Sequence, residues 1–188
     1  MKFALLPALF LVAGAAIGQT AQPSGVSSEW DVRKLLDSLD QEAQHLKPII
    51  DQVKPESWVA KGASGTYVAQ WQAAQAQLKY FLASSEGLAR QPEKLTLALD
   101  MYFRMQAMET MAGSVLEGVR KYQNPALAVL MQNALAENSA NRDRLRQYVQ
   151  DLAEQKEQEL QVANREAQRC RNALVRQPAS SSKKAVQK

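Results

Sequence analysis

Few side chains in this chain of 188 residues stand at spacings that could do chemistry. Glu42 and His45 make a Glu-x-x-His step, which puts a carboxylate and an imidazole on one helix face and supplies part of a two-metal carboxylate site. A complete site needs two such steps and two more carboxylates, and His45 is the sole histidine. Ala43 and Leu46 take the inward positions of that segment, so Glu42 and His45 read as a solvated pair. Met101, Met105, Met108 and Met111 stand on neighbouring turns. Thioethers are soft ligands suited to Cu(I), but methionine also fills irregular gaps in helical cores. The four coincide with an apolar face and have no Cys or His nearby in sequence, so core filling is the expectation and copper binding the alternative. The aromatics Tyr67, Trp71 and Phe81 are the corresponding alternative for a small-molecule cavity.

Cys170 is the one cysteine. A nucleophilic thiol needs a base beside it, and His45 lies on another segment. The expectation is an inert, partly covered thiol on a helix face; the alternative, in an oxidising compartment, is a disulfide that joins two chains in parallel register. Serine–histidine–acid patterns, phosphate loops, zinc spacings and Cys-x-x-Cys-His are absent. The expectation is a protein that is not an enzyme and holds no cofactor.

The charges point to contact. Lys and Arg number 23 against 19 Asp and Glu, a mild excess that does not imply nucleic acid. Asp143 with Arg146, and Glu166 with Arg169, are three apart and can pair along a helix. Toward the end, Arg165, Arg169, Arg171, Arg176, Lys183, Lys184 and Lys188 face only Glu166. That basic end suits an anionic envelope surface, in a salt-dependent way.

Several helices must position these groups. Residues 1–18 have the form of a secretory signal: Lys2, an apolar run from Phe3 to Ile17, and Ala16-Ile17-Gly18 before a cut. Residues 19–27 form a flexible leader. Ser28 and Asp31 open a capping box. From there Val32, Leu36, Leu39, Ala43, Leu46, Ile50 and Val53 step by four and three, which predicts a first helix kinked at Pro48. Trp58, in the following connection, is expected to fold back as a lid. A second helix runs from Thr66 until Gly87 offers a stop. A third opens at Gln91-Pro92-Glu93 and runs to Tyr122, with Gly113 and Gly118 allowing close approach. Asn124 caps and Pro125 starts the fourth.

The fourth helix, Asn124 to Val175, contains no glycine and no proline after Pro125. At 1.5 Å per residue it spans roughly 75 Å, against roughly 30 to 45 Å for the others, so its second half must overhang. Leu145, Val149 and Leu152, then Lys156, Leu160 and Ala163, then Ala167, Cys170 and Leu174 repeat close to every eleven residues, a nearly straight coiled-coil stripe. A break near Asn138 is the alternative.

These features predict an all-α fold: an antiparallel up-and-down four-helix bundle over 28–153, a projecting helix end over 154–176, and a disordered basic tail over 177–188. They predict an exported protein, periplasmic or extracellular, without a transmembrane helix once the signal is removed. It is expected to touch an unidentified protein or envelope partner, or a second copy weakly, through Leu160, Ala163, Ala167, Cys170 and Leu174.

Overall fold

The computed structural model describes residues 29–137 and 139–176. Residues 1–28 (the expected signal, leader and Ser28 of the expected capping box), Asn138 and residues 177–188 of the expected tail lie outside the described residues. The fold is all-α: five long helices pack against one another and the described residues include no strand. They are α1 (Glu29–Asp51), α3 (Thr66–Arg90), α4 (Leu95–Gly118), α5 (Pro125–Glu137) and α6 (Ser139–Arg176), with a single short turn of helix, α2 (Pro55–Val59), between the first two. The expected fourth helix is thus described as α5 and α6. Both lie along α1 and α4, so α6 does not fold back on α5.

Why α1 forms is plain from its stripe. Each of Val32, Leu36, Leu39, Ala43, Leu46, Ile50 and Val53 is buried, one continuous apolar seam of the kind that drives helix packing. The helix runs through Pro48 and ends before Pro55, whose ring pushes Lys54 out of helical geometry (φ −126°, ψ 67°). Carbonyls at this end also accept from side chains. Trp71 Nε1 donates to the Ile50 carbonyl at 2.9 Å, and Gln123 Nε2 donates to that of Gln52 at 2.8 Å. Gln123 Oε1 in turn accepts from the Lys54 N–H at 2.9 Å. One glutamine therefore ties the end of α1 to the turn that follows α4.

Trp58 on α2 is fully buried, the lid its size predicts. Its ring meets Tyr67 edge-on, centroids 5.6 Å apart, and stacks on Tyr122 at 6.3 Å. Gly62 follows α2 with φ at 88°. It donates to the Val59 carbonyl while Ala63 donates to that of Trp58, both at 3.0 Å, the glycine-ended helix stop in which only a residue without Cβ is unstrained.

Two expected boundaries are corrected. Gly87 does not end α3, which continues to Arg90; Gly87 is not in the left-handed conformation a glycine stop requires. The end falls at Gln91, just before Pro92. The third helix opens at Leu95, after Pro92 and Glu93, and its last expected turn is a wider π-helical one, Val119–Gln123, in which the Asn124 N–H reaches the Val119 carbonyl at 2.9 Å. Asn124 then caps α5 as predicted, its Oδ1 accepting from the Ala126 N–H at 2.9 Å.

Candidate functional site

The first part of α6 is seated by polar contacts as well as apolar ones. Asn141 Nδ2 donates to Glu42 Oε1 on α1 at 2.6 Å. Arg142 Nη1 donates to Glu109 Oε2 on α4 at 3.0 Å, where the Glu109 side chain is only 16% exposed. Leu145, Tyr148 and Leu152 are buried, and the Tyr148 hydroxyl donates to the Pro92 carbonyl ahead of α4. Burial, with Glu93 adding to it, pushes the Tyr148 phenol up to about 12, so it remains a donor at any ordinary pH. Burial also raises Glu42, against the opposing hydrogen bond from Asn141, and raises Asp40, against the opposing Ser85 hydroxyl.

Past Leu152 the seating stops. Ala153 and Lys156 are half-buried, and every residue from Glu157 to Arg176 is exposed. At 1.5 Å per residue that is about 30 Å of helix standing clear of the body. The intrahelical pairs expected from spacing are present: Arg146 with Asp143 at 3.5 Å and Arg169 with Glu166 at 2.6 Å, joined by Lys156 with Glu159 at 2.9 Å. Such pairs add a few tenths of a kcal/mol each, about 0.2–0.5, to a helix without tertiary support.

Leu160, Ala163, Ala167, Cys170 and Leu174 are all on this free segment and all exposed. Leu160 is 61% and Leu174 68% exposed. At 3.6 residues per turn they share a band roughly 80° wide with Leu145, Val149 and Leu152. The overhanging stripe is therefore the uncovered continuation of the face that α6 buries against α1 and α4. Its charges are divided along its length. Residues 151–159 carry Asp151, Glu154, Glu157 and Glu159 against Lys156, whereas residues 165–176 carry Arg165, Arg169, Arg171 and Arg176 against Glu166.

The other candidates go elsewhere. Met101, Met105 and Met108 are buried in the core between Ala98 and Ala112, and Met111 packs half-buried against it. Phe81 is buried, Tyr67 belongs to the Trp58 cluster, and Trp71 caps α1; these three do not surround a common cavity. Glu42 turns to Asn141 while His45 is exposed, and among the described residues no three His, Cys, Asp or Glu side chains gather as a metal site. Two open surface grooves, of about 510 Å³ beside Leu35 and Tyr148 and about 560 Å³ beside Gln52 and Leu130, include none of these candidates. Sequence reasoning missed Tyr148 and Asn141. Spacing puts both at the edge of the Leu145–Leu152 stripe, but nothing local in the sequence names their partners, Glu42 and Pro92.

No helix among the described residues is long and apolar enough to cross a membrane. Comparison with protein-family models, with curated proteins and with solved structures gives no match to this chain.

Proposed function

We propose that the protein acts by contact, as an exported, non-enzymatic helical body that holds out the end of α6 to a partner. The observation that supports it is a helix end from Glu157 to Arg176, exposed throughout, that nonetheless keeps an apolar stripe in phase with the buried face behind it. Leucine on a free helix end gains nothing for the body, whereas covering it by a partner recovers roughly 25 cal/mol per Å² of apolar surface. The leader pattern of Lys2, the apolar run and Ala16-Ile17-Gly18 supports export. The arginines of the tip suit an anionic partner or envelope surface.

Truncation after Lys156 tests this reading, since it leaves every buried residue of the body in place. The full chain is expected to associate in sedimentation, or to bind vesicles of anionic lipid, and the truncated chain to do neither. Identical behaviour of the two proteins would end the proposal.

A further inference from the structure

We infer that the projecting end of α6 pairs with the same segment of a second copy, and that the two run antiparallel, each tip lying over the other's base. This rests on the contact reading above and names its partner.

The direction follows from where the stripe points. It continues the face that Leu145 and Leu152 bury against α1 and α4. A second α6 laid on it in parallel register would carry its own residues 139–152 through the space that α1 and α4 already fill. Laid antiparallel, the second helix runs away from the body, and its own body sits beyond the first tip. The parallel Cys170 disulfide, the alternative that the sequence leaves open, would on this geometry require the two bodies to splay apart at the base.

Charge selects the same direction. Parallel pairing sets the arginine-bearing tip against its like and the acidic base against its like. Antiparallel pairing about residue 165 sets tip over base: residues 166–176, with Arg169, Arg171 and Arg176 against Glu166, lie over residues 154–164, with Glu154, Glu157 and Glu159 against Lys156, two net positive charges against two net negative ones on each side. Complementarity of this kind fixes orientation more than it adds affinity. With the pair centred near Arg165, Arg171 comes beside Glu157 of the second copy, and the two-fold symmetry repeats that contact. Glu166 meets its counterpart near the middle but keeps its own-chain partner Arg169 at 2.6 Å.

The side-chain sizes fit this register. Leu160 lies opposite Cys170 of the second copy and Ala163 opposite Ala167, so small residues fill the centre and the helices can approach closely there, while Leu174 falls opposite Lys156, whose aliphatic stem can cover it. Some 30 Å of two helices with alanine at the centre falls below the ~1,200 Å² at which stable interfaces begin. The pairing is accordingly weak and salt-sensitive.

Thiol cross-linking of the full-length protein reads the register directly. In the antiparallel pair the two native Cys170 residues stand ten positions out of line, about 15 Å along the axis, beyond the ~7 Å Cα separation a disulfide spans. Leu160→Cys instead faces the native Cys170 of the second copy. With diamide as oxidant, Leu160→Cys is expected to form a disulfide-linked dimer roughly tenfold faster than either the wild type or Arg165→Cys. Arg165→Cys places its thiol on the far side of the helix and serves as the collision control. A wild-type dimer through Cys170 as fast as the Leu160→Cys dimer overturns the antiparallel arrangement. No dimer above the control from Leu160→Cys overturns the second copy as partner; if truncation after Lys156 still abolishes association or vesicle binding, the contact reading survives with a different partner. If truncation changes nothing, both fall.

Discussion

Replacing Gly118 by alanine puts the packing at the lidded end of the body to a quantitative test. Gly118 is the last residue of α4, and a Cβ built there would lie 2.5 Å from Trp58 Cζ3 and 2.9 Å from Tyr67 Cε1. Carbon atoms prefer about 3.5–4.0 Å. Trp58 cannot retreat, since it is wholly buried and held by Tyr67 on its edge and Tyr122 on its face. Alanine improves helix propensity by about 1 kcal/mol, while overpacking a full core costs about 1–3 kcal/mol. An overlap of this depth against two ring systems belongs at the upper end, which leaves Gly118→Ala destabilised by about 2 kcal/mol, or a melting temperature lower by roughly 4–8 °C for a chain of this size. Gly113, on the same helix, has nothing within 4 Å of a built Cβ. Gly113→Ala should therefore stabilise, by about 0.5–1 kcal/mol. Thermal and urea unfolding followed by far-ultraviolet circular dichroism reads both. The reasoning is refuted if the two substitutions shift stability in the same direction, or if Gly118→Ala melts with the wild type.

Three further outcomes are expected. Tyr148→Phe removes the hydrogen bond from this buried tyrosine's hydroxyl to the Pro92 carbonyl, a loss of about 1 kcal/mol measurable in urea; no loss would mean that the bond does not seat α6. Glu42 is held above its ordinary value of 4.5 by burial, so the folded chain keeps this proton more readily than the unfolded one. Its contribution to stability is then fully present below pH 4.5 and is lost as pH rises through the folded value. Glu42→Gln keeps an acceptor for Asn141 without the titration, so its advantage over wild type should be largest at neutral pH and shrink in acid; an advantage that grows in acid contradicts the assignment. Truncation after Lys156 should leave the melting temperature within about 2 °C of the full chain at low concentration, because no buried side chain is removed; a large drop would show that the free end supports the body.

Some of this was legible in the sequence because its causes are local. The α1 stripe from Val32 to Val53 is buried residue for residue, Trp58 closes one end, and Asn124-Pro125 starts a helix, since side-chain periodicity, bulk and capping act within a few residues. The α3 boundary was not legible. Gly87 ends a helix only if its backbone turns left-handed, and the buried Leu88 beyond it holds the helix through that point. The polar seats of α6 were hidden for a different reason. Asn141 and Glu42 are 99 positions apart, and their meeting depends on the register between α1 and α6, which no local pattern encodes. The two glycines of α4 look alike in sequence, yet only Gly118 stands against a neighbour. The candidate site was half visible: spacing located the stripe and the basic tip, but that the same face is covered by α1 and α4 further back, which sets the direction of the proposed partner, depends on the tertiary arrangement.

Concentration-dependent sedimentation of two variants with the same change of charge tests the contact face most directly. Ala167→Glu places a carboxylate at the centre of the overhanging stripe, and Asn172→Glu places one on the opposite side of the same exposed helix. Association abolished by Ala167→Glu and retained by Asn172→Glu, with both proteins equally helical, is the predicted result. Equal association of the two variants would contradict the claim that this face makes the contact.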